Sequence, residues 1–315
     1  MTVSIIIAAK TYGKNLKKCI DECLKLEGIG FEILIALDEY VAINDSRVKV
    51  ISTGNVLPGR KRDLASKHAK GEILAFIDDD AYPDQNWLKN AVRHFQDAAI
   101  AAVGGPAITP PEESFRGKAS GKVYENILLS GNYRYRYVKS PKRFVDDYPS
   151  CNLLVRKSVF KELGGFDTEF WPGEDTKLCW GIVHKLNKKI LYDPQVLVYH
   201  HRRPLFLPHL KQIANYAVHR GYFVKKYPHT SLKLSYFVPS LFVLVLTAGL
   251  VLSFINPVIR YFFISFVVFY VLIVLFFSLN RDIKLALYVF FGIIFSHLTY
   301  GVFFIKGLLT KQLNK

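Results

Sequence analysis

The 315-residue chain has little of several things, and each shortage narrows the field. It has four cysteines, Cys19, Cys23, Cys151 and Cys179, with no CxxC pair among them. That argues against a disulfide framework or a thiolate zinc site and predicts buried, neutral thiols in a reducing compartment. It has no acidic residue anywhere between positions 194 and 281, although Arg202, Arg203, Lys211, Arg220, Lys225, Lys226 and Lys233 lie there. It lacks an internal repeat and a low-complexity tract. Its first apolar run, residues 3–9, is too short for a secretory signal, has no basic residue before it and is followed by Lys10. That run reads as a buried first strand.

What is present is unevenly distributed. Half of the residues are hydrophobic, and the formal charge is +16, from 42 basic and 26 acidic side chains. Such an excess suits nucleic acid, an anionic membrane or a phosphorylated substrate. No recognised nucleic-acid module accompanies it, so nucleic acid is not the expected partner. Phe, Leu, Val and Ile dominate from Tyr236 onward. Three runs, 236–254, 261–279 and 285–305, are each close to the ~20 residues that cross a bilayer as a helix. They are separated by Asn256-Pro257 and by Asn280-Arg281-Asp282, which read as turns. The basic residues crowd just before the first run. This placement points to the anionic cytoplasmic face of a membrane and puts the N-terminal part on that side. Arg281 and Lys284 agree with that orientation. Three crossings would put Lys306, Lys311 and Lys315 outside, against the rule, unless one run is re-entrant or interfacial or the tail is an exception. The expected organisation is a globular domain over 1–203, a basic interfacial segment over 204–235 and a membrane part over 236–315.

In the globular part short apolar runs alternate with helical patterns. Strands are expected at 3–9, 31–37, 48–51, 73–77 and 100–103. Helices are expected around 16–24, at 62–68 and at 87–95. Alternation of this kind predicts an α/β fold: an open, mainly parallel sheet with helices on both faces. Ligands of such sheets bind beyond the carboxyl ends of the strands, so the residues after each strand are the ones to inspect.

Asp38 and Glu39 follow the second strand, and Asp78-Asp79-Asp80 follows the strand at 73–77. Adjacent carboxylates repel and cost desolvation unless a cation neutralises them. Residues two apart on an extended chain point the same way, so Asp78 and Asp80 can converge on one divalent cation, Mg²⁺ or Mn²⁺, shared with phosphate oxygens. The bland alternative is a solvated turn before the next helix. Pro58-Gly59-Arg60-Lys61-Arg62 opens a helix with basic residues that would offset diphosphate charge, or simply face solvent. Gly164-Gly165-Phe166-Asp167, then Glu169, Phe170 and Trp171, lead to Gly173-Glu174-Asp175 at the start of a helix expected over 176–185. Asp175 there is either a helix cap or a general base beside an aromatic surface. The basic, aromatic stretch 131–148 reads as a loop or an acceptor-binding flap. The segment 205–227 mixes apolar, aromatic and cationic residues in the manner of interfacial helices.

Taken in order, these residues resemble the family 2 glycosyltransferases of the GT-A fold. The likeness rests on Ser4-Ile5-Ile6-Ile7-Ala8-Ala9, Glu32 to Asp38, Arg62-Asp63-Leu64-Ala65, Gly71 to Asp80, Gly104-Gly105-Pro106, Pro149 to Arg156, Gly164-Gly165-Phe166-Asp167 and Gly173-Glu174-Asp175. It covers about residues 2–200. The tail is similar to the membrane-bound succinoglycan-biosynthesis type, through Gln212, Arg220-Gly221 and His297, Tyr300 and Gly301.

The resemblance implies roles. Ala8, Asp38, Arg62, Asp78 and Asp79 would contact a nucleotide-sugar donor. Asp78, Asp80 and His200, the last taken to follow a strand at 196–199, would hold the metal. Asp175 would be the base of an inverting transfer, with Glu174 as an orienting neighbour on the acceptor side. Trp171, Arg202, Arg203, Gln212 and Arg220 would face a lipid-linked, polyprenyl-diphosphate acceptor. The family commonly has Pro and Asn where Ala8-Ala9-Lys10-Thr11 stands here. Processive synthases carry Gln-x-x-Arg-Trp, whereas Gly221 follows Arg220, which implies transfer of a single sugar. Two other readings remain: a polyprenyl-phosphate monosaccharide synthase, and a non-catalytic membrane scaffold or nucleotide-sugar sensor.

Overall fold

The structure is a computed structural model that describes residues 1–167 and 170–313. Glu169 and Lys315, named above, lie outside the described residues. The chain forms two compact units. One comprises Met1–Pro110 with Tyr135–His201, the other Pro111–Arg134 with the segment from Arg202 onward.

The first unit is built on a sheet. Its strands in chain order are β1 (Val3–Ala8), β2 (Phe31–Leu37), β3 (Val48–Ser52), β4 (Ile73–Asp78), β5 (Ala81–Pro83), β6 (Ile100–Gly104), β7 (Ala107–Ile108), β8 (Arg143–Val145), β9 (Asn152–Arg156), β10 (Lys189–Tyr192) and β11 (Val198–His200). Eight of them form one sheet in the order β3-β2-β1-β4-β9-β6-β10-β8. The β3-β2-β1-β4 half is parallel, and so is the β6-β10 pair. β9 is inserted antiparallel between β4 and β6, and β8 closes the edge antiparallel to β10. Every residue of β1 is buried, as expected of a strand covered on both faces. Ile5, Ile7, Ile33, Ile35 and Ile77 are fully inaccessible, each contributing roughly 1.5–3 kcal/mol through apolar burial.

A second, three-stranded sheet runs β5-β11-β7. It sets His200 opposite Ala81 and Tyr199 opposite Tyr82. This pairing, rather than chain proximity, brings the end of the unit back to the Asp78–Asp80 turn. His200 is thus the last residue of β11, not a residue after a strand at 196–199, because the antiparallel ladder with β5 extends through it.

Several local expectations shift. The helix expected at 62–68 starts earlier and spans Pro58–Ser66, since Pro58 is pre-set for a first helical turn. The helix after Gly173 spans Glu174–Trp180 and continues as a π turn, Gly181–Lys185. The aromatic stretch 131–148 is not simply a surface flap. Tyr135 and Tyr148 are buried and cluster with Tyr192, with ring centroids 5.0–6.2 Å apart. All four cysteines are buried and unbridged, and burial raises the Cys179 thiol well above its ordinary value.

The second unit is helical. Among the described residues, three helices are long and apolar enough to cross a membrane: Leu234–Ser253, Pro257–Ser278 and Ile283–Leu309, with mean hydropathies of 2.1, 2.6 and 1.8. The turns between them carry their own caps. Asn256 Oδ1 accepts the N–H groups of Val258 and Ile259, and Asp282 Oδ1 accepts that of Leu285, satisfying backbone donors that a helix start leaves open.

Helix Leu207–Lys226 packs on Ile283–Leu309 through glycines. A Cβ on Gly307 would lie 2.2 Å from the Val218 carbonyl oxygen, and one on Gly221 2.3 Å from that of Phe304. Gly301 meets the Pro239 carbonyl of helix Leu234–Ser253 in the same way, at 2.3 Å. His209 is fully buried between two serine hydroxyls, Ser120 at Nδ1 (2.8 Å) and Ser296 at Nε2 (3.0 Å). Burial, with Arg202 nearby, lowers its pKa to about 4.

Candidate active site

The carboxyl ends of β1, β2 and β4 lie side by side because the three strands pair in parallel register, Ala8 beside Ala36 on one flank and Asp78 on the other. Asp38 follows β2 directly, and Asp78 ends β4. The turn Asp79-Asp80 then leads into β5. This is the strand-end position at which an α/β sheet collects its ligands.

Asp80 and His200 are held together by the second sheet. His200 Nε2 lies 3.0 Å from Asp80 Oδ1, and the His201 N–H donates to the Asp80 carbonyl at 2.9 Å. One ligand atom from each of Asp78, Asp80 and His200 lies within 4.8 Å of the others. A shell of about 2.1 Å radius places opposite ligands about 4 Å apart, so the three atoms stand near ligating separation. Two carboxylates and an imidazole fit a divalent ion of the Mn²⁺ or Mg²⁺ kind, leaving further positions for phosphate oxygens and water.

Two of the three basic residues that open helix Pro58–Ser66 turn inward, while Arg60 faces solvent. Lys61 and Arg62 are both 4% exposed. Lys61 is ion-paired with Asp38 and donates to the Ala9 carbonyl at 2.8 Å. Arg62 donates to Asp78 Oδ1 at 2.6 Å and to Glu174 Oε1 at 2.7 Å. Its Nε is buried without a partner. Burial works against the Arg62 charge, but the carboxylates of Asp78, Glu174 and Asp175 outweigh it and raise its pKa above the ordinary value. Asp63 accepts the N–H groups of Phe166 (2.8 Å) and Asp167 (3.1 Å). The turn it grips has Gly164 and Gly165 at φ near +80°, which favours glycine.

Asp175 sits in the first turn of its helix, with Gly173 as the N-cap at φ +117°. Its Oδ1 accepts the Thr176 N–H (2.8 Å) and its Oδ2 the Ser150 N–H (3.2 Å). Two backbone donors on different segments therefore fix the direction of the carboxylate. Glu174 is 4% exposed and committed to Arg62 and to the Gly173 N–H, whereas Trp171 is 52% exposed.

The first unit thus brings together Ala8, Asp38, Arg62, Asp78, Asp79, Asp80, Glu174, Asp175 and His200. Arg202, Arg203, Gln212 and Arg220 belong to the second unit. There Gln212 Oε1 accepts from the Tyr124 hydroxyl (3.2 Å), and Arg220 donates to Ser231 Oγ (3.2 Å) and lies over the Tyr236 ring.

Two residues escaped the sequence reading as contributors. Lys61 stood in the quoted basic run but gave no sign of pairing with Asp38. Asn152 is fully buried. It donates to the carbonyls of Gly105 and Val196 and accepts from Trp87 Nε1, which pins the turn after β6. A polar residue at the head of an apolar run was its only signal.

The family model for glycosyl transferase family 2 matches residues 4–164, about half of the chain. The chain belongs to glycosyl transferase family 2. Among its relatives, the pre-mycofactocin glycosyltransferase of Mycobacterium tuberculosis is 24% identical over 205 residues, which are 64% of this chain and 43% of the relative. The chain therefore spans less than half the length of that protein. The dolichyl N-acetyl-α-D-glucosaminyl phosphate 3-β-D-2,3-diacetamido-2,3-dideoxy-β-D-glucuronosyltransferase of Methanococcus voltae is 23% identical over 243 residues, which are 71% of this chain and 74% of the relative. Among solved structures, the mannosyltransferase of Pyrobaculum calidifontis in complex with GDP-mannose and Mn²⁺ covers 98% of this chain and 88% of its own, with TM-score 0.66 at 14% identity. That likeness establishes the fold, a GT-A sheet domain followed by long apolar helices, for this family 2 member.

Proposed function

We propose that this chain is a membrane-anchored, inverting glycosyltransferase. It would move one sugar from a nucleotide-sugar donor to a glycan or sugar carried on a polyprenyl phosphate or diphosphate. The observation that carries the reading is the convergence of Asp38, Asp78, Asp80, His200 and the Glu174-Asp175 helix start at one edge of the sheet, in a chain of this family. Residues 1–203 form the catalytic part in this reading, 204–235 an interfacial segment and 236–315 the membrane part, with catalysis on the cytoplasmic side.

Asp38 and Lys61 line the nucleotide side of the site, and Ala8 the floor between them and β4. Asp78 and Asp80, with His200, would hold the divalent cation, which supplies charge neutralisation to the departing diphosphate when bound. Asp175 accepts the proton of the acceptor hydroxyl as that oxygen attacks the anomeric carbon opposite the leaving group. The backbone donors of Ser150 and Thr176 keep its carboxylate from turning away. Trp171 offers an exposed ring for the acceptor sugar. Arg202, Arg203, Gln212 and Arg220 are assigned to the acceptor's phosphate. The name of the Methanococcus voltae relative, a transferase to a dolichyl-phosphate-linked sugar, supports a phosphate-linked lipid sugar on that side. A narrower kinship with succinoglycan-type enzymes rests only on Gln212, Arg220-Gly221 and the His297–Gly301 motif.

The test is to incubate membranes holding the chain with a panel of labelled nucleotide sugars, with and without EDTA, and to extract the lipid. The expected outcome is label in the lipid phase from one donor, lost with EDTA. Asp175→Asn should lower that transfer by about 10²–10⁴-fold. Equal label from Asp175→Asn and the parent would sink the assignment, and transfer untouched by EDTA would sink the metal. A scaffold or sensor would bind nucleotide and label nothing.

A further inference from the structure

The buried pair Arg62–Glu174 has a place in the site that no step above uses. Arg62 reaches in two directions with one guanidinium. Its Nη2 holds Asp78 at the donor edge (2.6 Å), and its Nη1 holds Glu174 (2.7 Å), the residue next to Asp175 in the same helical turn. The side chains of Arg62 and Glu174 are each only 5% exposed. Nearby backbones are shaped to allow this. A Cβ on Gly59 would sit 3.3 Å from Glu174 Cβ, so the start of helix Pro58–Ser66 lies directly against the start of Glu174–Trp180. One residue further on, Asp63 holds the N–H groups of Phe166 and Asp167. The segment that delivers Asp175 is therefore clamped at both ends by one helix, and that helix also grips Asp38 and Asp78.

We propose that Glu174 is a positioning residue: through Arg62 it registers the Asp175 carboxylate to the strand end that holds the donor. The inference rests on the reading of Asp175 as the base. Glu174 itself faces Arg62 and the Gly173 N–H, not an open surface. Its charge fixes where the helix begins, and thereby where Asp175 points. A misplacement of about 1 Å in such a group costs on the order of 10²-fold in rate while leaving the nucleotide contacts in place.

The full chain in detergent is assayed in two ways. Binding of UDP and of GDP with Mn²⁺ is measured by calorimetry. Transfer is measured from whichever nucleotide sugar of the labelled panel the parent uses. Glu174→Gln, which keeps the shape and removes the charge, should bind the nucleoside diphosphate within about twofold of the parent. It should turn over about 10–100-fold more slowly at saturating donor. Asp63→Asn loosens the other end of the same segment and should show the same split at smaller amplitude. The inference is overturned if Glu174→Gln turns over within twofold of the parent. It is equally overturned if nucleotide binding falls in step with turnover in both variants, since the pair is then merely structural. Asp175→Asn is run alongside. If it transfers at the parental rate, the base assignment fails. If it is inactive while Glu174→Gln is unimpaired, only the positioning role fails.

Discussion

The two units use burial differently. In the sheet unit the buried polar groups include charged ones that reach across long sequence distances: Lys61 to Asp38, Arg62 to Asp78 and Glu174, Asp193 to His94, Arg93 and Lys142. In the helical unit the tight places are backbone against backbone, at Gly221, Gly301 and Gly307, and buried polarity is neutral, as in His209 between Ser120 and Ser296. Charge can be kept where strand ends and backbone N–H groups answer it. Among apolar helices an unanswered charge is far more costly, and small residues that permit close approach do the joining. The contrast separates a region joined by long-range ion pairs from a region joined by close backbone approach.

Four perturbations would break or sharpen that contrast. Arg62→Met leaves Glu174 and Asp78 without their cation, so the sheet unit should lose about 3–5 kcal/mol, read as a lowered unfolding midpoint. A loss below about 1 kcal/mol would mean the pair is dispensable. His209 should make stability pH-dependent. Its folded pKa of about 4 lies below the unfolded value of 6.5, so the unfolded chain takes up the proton first as pH falls. Stability is then full above about pH 6.5 and declines by up to about 3 kcal/mol toward pH 4. Comparing His209→Gln with the parent across that window should remove this slope, and an unchanged slope would refute the assignment. Gly307→Ala forces a methyl group onto the Val218 carbonyl and should cost about 1–3 kcal/mol, with UDP and GDP binding unaltered. Lys122→Ala removes only the exposed pair with Glu125 and should change stability by less than about 0.5 kcal/mol.

Much of the fold was legible because its signals are local. The apolar runs of β1, β2 and β4 are short and continuous, and those of β2 and β4 lead into acidic residues, so these strands and the carboxylates at their ends could be placed from the chain alone. β9 is not legible as a strand, because Leu153-Leu154-Val155 is too brief a run to declare its state. Nothing local announces that it inserts antiparallel into the middle of a sheet. β8 and the buried Tyr135 and Tyr148 hid in a stretch whose cations looked like surface. The Arg62–Glu174 contact spans 112 residues, and no spacing rule connects them. The small sheet that turns His200 onto Asp80 is likewise invisible without the pairing of β5 with β11. In the chain Gly221 and Gly301 are only letters of a motif. Only the packing supplies their cause.

Lys61, Arg62 and Asp63 are consecutive, and successive residues of a helix point about 100° apart around its axis. That angular spread is why three neighbours can each seize a different loop: the ends of β1 and β2, the end of β4 with the Glu174 turn, and the Gly164–Asp167 turn. It also makes the trio indivisible. An extra residue inserted between Pro58 and Lys61 would rotate all three grips off their targets together, so a small insertion there should disable the chain more thoroughly than any single substitution in it.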